Sequence, residues 1–124
     1  MCKPINKSIM HANYFNSKEF FVTDTGLDNS VSSSSHLVNI ANLWHYLNKI
    51  REELGAPIII NSAYRTPQVN KQVNGSKRSL HMQGRAADIR TKSEYMSRLR
   101  SILSKHKDEL SELIEYGTFF HIAL

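Results

Sequence analysis

Cysteine is nearly absent from this chain. The one cysteine, Cys2, has no second thiol to pair with, which excludes an internal disulfide and a thiolate metal site. No run of about 18 apolar residues occurs, so no membrane-spanning helix is expected. Met1-Cys2-Lys3-Pro4 opens onto no apolar stretch of signal-peptide length, so the chain is expected to carry no export signal. There is no internal repeat, and no low-complexity linker beyond Ser32 to Ser35. The basic residues form no long tract and alternate with no aromatic platform, which argues against a nucleic-acid binder.

What remains is an ordinary composition, with 40% apolar and 22% charged residues in 124. That length predicts one domain over residues 1–124, with 1–12 peripheral, able to bury about two thirds of its unfolded surface. The net charge of +5 predicts attraction to anionic surfaces. Lys71, Lys77, Arg78 and Arg85 cluster in sequence and are expected either to meet a carboxylate or to form a solvated loop rim.

The apolar pattern predicts the elements. After a turn-rich stretch from Thr23 to Ser35, the residues Leu37, Ile40, Leu43, Trp44, Leu47 and Ile50 recur at helical steps, predicting a helix over His36–Leu54 ended by Gly55. His45 falls off that stripe and reads as a surface histidine. The β-branched run after Pro57 predicts a buried strand. Thr66-Pro67 is a helix start, with threonine as N-cap and proline first, and Asn74-Gly75 ends that helix. Asn70 is expected to hold loop backbone. Lys92 to about Leu110 reads as a second long helix with Tyr95, Leu99, Ile102 and Leu103 inside. Helices and strands mix without regular alternation, so the fold class predicted is α+β: a small, mainly antiparallel sheet with helices packed on one side.

Ser79 to Ile89, S-L-H-M-Q-G-R-A-A-D-I, and the apolar C-terminal F-F-H-I-A-L hold the residues richest in chemistry. His81, Asp88 and His121 make a two-imidazole, one-carboxylate set, the donor types of a zinc site with an open fourth position. His81 and Asp88 are seven positions apart, which suits neither one helical turn nor one face of a single strand. Gly84 supplies the bend between them, and Ala86 and Ala87 let the following strand lie close to a neighbour. On spacing alone, an exposed His81, a capping or salt-bridged Asp88 and a core-lining His121 account for the same residues.

The wider stretch from Ser62 to Ile89, S-A-Y-R-T-P-Q-V-N-K-Q-V-N-G-S-K-R-S-L-H-M-Q-G-R-A-A-D-I, resembles the zinc D-alanyl-D-alanine carboxypeptidase/endopeptidase family, peptidase family M15, in its smaller branch. The elements S-x-Y-R, P-x-x-N, a glycine, S-x-H-x-x-G-x-A-x-D and a late aromatic-x-H occur in order, and the likeness extends over roughly Asn13 to Leu124. The resemblance implies a Hedgehog/DD-peptidase-like fold, Zn2+ on His81, Asp88 and His121, and Arg65 stabilising the charge on the scissile carbonyl oxygen. It also implies that Ser79 holds a substrate carboxylate and that the substrate is a peptidoglycan peptide; no partner protein is implied, and a monomer is expected. Since that substrate lies outside the bacterial membrane, a chain made in the cytoplasm without a leader is expected to reach it by a separate export route or by lysis, as a phage-encoded lysin does. A non-catalytic peptidoglycan-binding module is the alternative.

One position departs from the family. Active relatives have Glu or Asp three residues before the last histidine as general base; here Thr118 stands there, and threonine cannot accept that proton at neutral pH. Losing a general base costs about 10²–10⁴ in rate. If Gly117-Thr118 is a two-residue hairpin turn, Ile114 faces His121, Glu112 faces Ala123 with its carboxylate diagonally near the metal set, and Glu115 points to the other face. The plainer reading of either acid is a solvated strand-edge charge.

Overall fold

The computed structural model describes residues 12–124; Cys2 and the segment expected to be peripheral, apart from Ala12, lie outside them. Among the described residues, three α-helices, α1 (Ser34–Leu54), α2 (Pro67–Gln72) and α3 (Met96–Lys105), accompany four strands, β1 (Ile59–Ser62), β2 (Ala86–Arg90), β3 (Glu112–Glu115) and β4 (Phe120–Ala123). The strands form one antiparallel sheet in the order β1-β2-β4-β3, so the fold is α+β as the pattern predicts.

Local chemistry sets the helix ends. Ser33 Oγ accepts from His36 N at the start of α1, and Gly55 at φ 73° closes it in the left-handed conformation glycine adopts without strain. Thr66 Oγ1 accepts from Val69 N, with Pro67 in the first turn of α2. Along α1, Ile40, Leu43, Tyr46, Leu47, Ile50 and Leu54 are buried. Leu37 is not: it is 48% exposed, because at about 100° per residue it lies roughly 100° around the helix from the centre of that stripe.

The second long helix predicted over Lys92–Leu110 is shorter. A 3-10 turn, Ser93–Tyr95, leads into α3, which stops at Lys105, and another 3-10 turn covers Lys107–Glu109. The apolar stripe of Leu99, Ile102 and Leu103 is buried, but residues 105–109 are all polar and offer no face to bury. Lys105 Nζ and His106 Nε2 instead meet Glu53 at 2.7 and 2.8 Å. The run Ile58–Ile60 also differs from a strand buried on both faces: Ile58 and Ile60 are buried, while Ile59, one residue out of phase, is exposed on the other face of the edge strand β1.

The sheet has two unlike faces. On one, Ala87 pairs with Ile122 and Ile89 with Phe120, and these pack into the core with α1 and α3. One residue out of phase, Asp88 pairs with His121 on the opposite face. The small pair Ala86 and Ala87 is fully buried between β1 and β4, as a central strand requires. The hairpin register is the one the Gly117-Thr118 turn predicts: Ile114 opposes His121, Glu112 opposes Ala123 and Glu115 opposes Phe120.

Candidate metal centre and cleft

His81 sits on a 3-10 turn, Leu80–Gln83, whose N-cap Ser79 accepts from His81 N at 3.2 Å. Gly84 ends the turn at φ 76°, and a Cβ there would lie 2.7 Å from Ile40 Cγ1 and 2.9 Å from the His36 carbonyl. The chain can therefore leave the turn under α1 and enter β2 only with glycine at this point. The buried His81 ring has Nδ1 2.6 Å from the Ala63 carbonyl. A carbonyl only accepts, so Nδ1 is the donor there, and Nε2 faces Asp88 Oδ1 at 3.3 Å.

Asp88 Oδ1 also lies 2.9 Å from His121 Nδ1, and the two histidine rings stand 5.2 Å apart. One donor atom from each of His81, Asp88 and His121 lies within 4.8 Å of the others, a group that can hold a metal ion. Two imidazole nitrogens and one carboxylate oxygen, with the far nitrogen of His81 tied to a carbonyl, fit a first-row divalent cation, and three donors leave a coordination position open. Burial alone would raise the Asp88 carboxyl, but hydrogen bonds from His121 and His81 hold it well below the usual carboxylate range. The hydrogen bond to Asp88 in turn raises His121 above its ordinary 6.5, against the opposing effect of burial.

Arg65 follows β1. Its Nε donates to Ser62 Oγ at 3.1 Å and its Nη1 to Asn70 Oδ1 at 3.2 Å, and Nη2 stands 3.5 Å from Asp88 Oδ2. Burial lowers the guanidinium pKa and the neighbouring Asp88 charge opposes that, so the group stays a cation. Asn70 is itself fixed, donating from Nδ2 to the Ser76 carbonyl at 2.9 Å, the loop-holding role expected of it. Gly75 makes this arrangement possible: a Cβ there would fall 2.0 Å from Asn70 Oδ1 and 2.9 Å from Arg65 Nη1.

These groups line one cleft. Arg65, Ser76, Arg78 and Ser79 are among its polar lining residues, and Leu80, Ile114, Tyr116 and Phe119 its apolar ones, with the Tyr116 and Phe119 rings stacked at 4.9 Å. Of the four basic residues clustered in sequence, only Arg78 lines it. Lys71 and Lys77 border a separate depression, and Arg85 donates to the Leu124 carbonyl from Nε at 2.9 Å. Thr118 lies in the hairpin turn, exposed, and does not line the cleft. Glu115 points to the helix face and pairs with Arg100 at 2.6 Å. His45 is exposed on α1, as its position off the apolar stripe predicts.

Glu112 lines the cleft, with Oε1 2.7 Å from His121 Nε2. The strand-edge reading does not describe this contact; the hairpin register pointed toward it, but only the side-chain geometry brings the two groups together. Ser62 and the Ala63 carbonyl were not singled out from the sequence at all, although both lie in the S-x-Y-R stretch that delivers Arg65.

Among the described residues, no helix is long and apolar enough to cross a membrane. No curated protein matches the chain. The model of one family, described as Peptidase M15, matches residues 13–123.

Proposed function

Because the chain belongs to the Peptidase M15 family, we propose that it is a zinc-dependent metallopeptidase acting on peptide bonds of bacterial peptidoglycan, in stem peptides or cross-links. The observation that carries this reading is the meeting of His81, Asp88 and His121 within 4.8 Å, in a cleft they share with Arg65. Zinc held by these three residues would supply a Lewis acid and an acidified water at the open position. Arg65, fixed by Ser62 and Asn70, is a preorganised cation beside that position and stabilises the negative charge that develops on the carbonyl oxygen. Ser79, which lines the cleft together with its sequence neighbour Arg78, orients a substrate carboxylate. The chain acts as one domain and a monomer at the cell wall, to which its net charge of +5 draws it.

Thr118 favours a second reading, a non-catalytic peptidoglycan-binding module that keeps the metal. The test is zinc content of the purified protein measured beside peptide release from purified cell walls, with and without chelator and added zinc. About one zinc per chain with chelator-sensitive release supports the peptidase. Zinc without release selects the binding module, and absence of metal overturns both.

A further inference from the structure

His121 is gripped from both ring nitrogens, by Asp88 Oδ1 at Nδ1 and by Glu112 Oε1 at Nε2. The nitrogen on the Asp88 side is the one that converges with His81 Nε2. A histidine that gives one nitrogen to a metal carries its hydrogen on the other, and that N–H needs an acceptor. For His81 the acceptor is the Ala63 carbonyl. We infer that Glu112 is the corresponding acceptor for His121: a positioning carboxylate that holds the ring with Nε2–H toward β3 and the Nδ1 lone pair toward the metal. This rests on the metal centre proposed above.

The backbone register makes the grip possible. Ile114 stands directly across from His121 and Glu112 across from Ala123, so Glu112 reaches His121 diagonally on the cleft face. Glu115 on the same strand turns to the other face and is spent on Arg100. With its carboxylate committed to His121 Nε2, Glu112 acts through the histidine and not on the substrate. The absence of an acid at Thr118 is therefore not made good by Glu112.

The test is zinc affinity by competition with a chromophoric chelator, with the thermal midpoint of each metal-free variant as a folding control. Glu112→Ala should weaken zinc binding by about 10–100-fold. Glu112→Gln keeps an oxygen that accepts from Nε2–H and should recover most of that loss. Glu115→Ala removes the same charge from the same strand and should leave the affinity within about twofold. In ¹⁵N spectra of the zinc-loaded parent, His121 should show its hydrogen on Nε2. Parent-like affinity in Glu112→Ala, an equal loss in Glu115→Ala, or a hydrogen on Nδ1 overturns the role of Glu112 while leaving the metallopeptidase reading intact. A parent chain that binds no zinc overturns the metal centre and this role with it.

Discussion

Asp88 and His121 stand directly opposite each other on β2 and β4, with Oδ1 2.9 Å from Nδ1. Two chemical groups from distant parts of the chain are thus set by a backbone ladder, and not by flexible loops. A slip of one residue in this pairing would turn one of them toward the helices. His81 reaches the same point from a turn held by Ser79 and Gly84, so one loop and two strands define the metal position.

The raised pKa of His121 gives a pH dependence with a definite sign. Its ordinary value is 6.5 and the contact with Asp88 raises it, so in the metal-free chain the proton competes for Nδ1 at a higher pH than for a free imidazole. Metal binding displaces that proton. Zinc affinity should therefore fall as pH drops through the raised His121 pKa, above its ordinary 6.5, and zinc addition in that range should release protons. Calorimetry in buffers of different ionisation enthalpy measures both, and a flat affinity with no proton release contradicts the arrangement.

Removing Arg65 should slow chemistry without emptying the metal site. Arg65→Ala is expected to lower kcat by about 10²–10³, the scale of losing one oxyanion donor, with zinc content unchanged. Arg65→Lys should not restore the rate, because one ammonium cannot reproduce the fork to Ser62 and Asn70. Gly75→Ala should mimic part of this loss, since the new methyl would displace Asn70 and the guanidinium it holds. Steady-state kinetics beside metal analysis separates the two effects.

Gly84→Ala should destabilise the fold by about 1–3 kcal/mol, from the left-handed backbone and the collision with Ile40 and the His36 carbonyl together. The thermal midpoint should fall by several degrees. A variant with parent-like stability would mean that this close approach is absent in solution.

Restoring an acid at Thr118 should not help. The residue lies in the Gly117-Thr118 turn and does not line the cleft, so a carboxylate there is not directed at the metal position. Thr118→Glu is expected to leave turnover within about twofold of the parent, the ordinary effect of an exposed substitution away from the chemistry. A gain of tenfold or more in peptide release would show that the turn rearranges to bring this position into the site.

Much of this was legible in the chain because local chemistry and pattern agree. Thr66-Pro67, Gly55 and Gly84 each mark an element boundary with a side chain or backbone conformation that boundary needs, and the two-residue turn predicts the pairing of Ile114 with His121. The start of α1 at Ser34, two residues before the expected His36, is set by the Ser33 cap in a serine run where spacing offers several candidates. Burial was harder to read. Leu37 and Ile59 look apolar in sequence, yet one lies off the buried stripe and the other faces outward on an edge strand, facts that depend on which elements pack where. Glu112 shows the same limit for the site. Its strand position could be counted, but whether its carboxylate meets solvent or a ring nitrogen is decided by side-chain direction, which spacing does not carry. The basic residues near the motif scattered for a similar reason, since neighbours in a turn can point to different sides of it.

Every residue of β3 is exposed, and among the described residues its backbone pairs on one side only, with β4. Such a strand contributes little to the global core and can open by itself, with an opening free energy well below that of the whole domain. Yet it carries one of the groups that hold His121. Metal occupancy and the closed state of this hairpin are then expected to be two faces of one equilibrium: an ion bound by His81, Asp88 and His121 should slow amide exchange along Glu112–Glu115, and opening of the strand should weaken its hold. The tightness of the centre is thus set partly by the least anchored strand of the sheet.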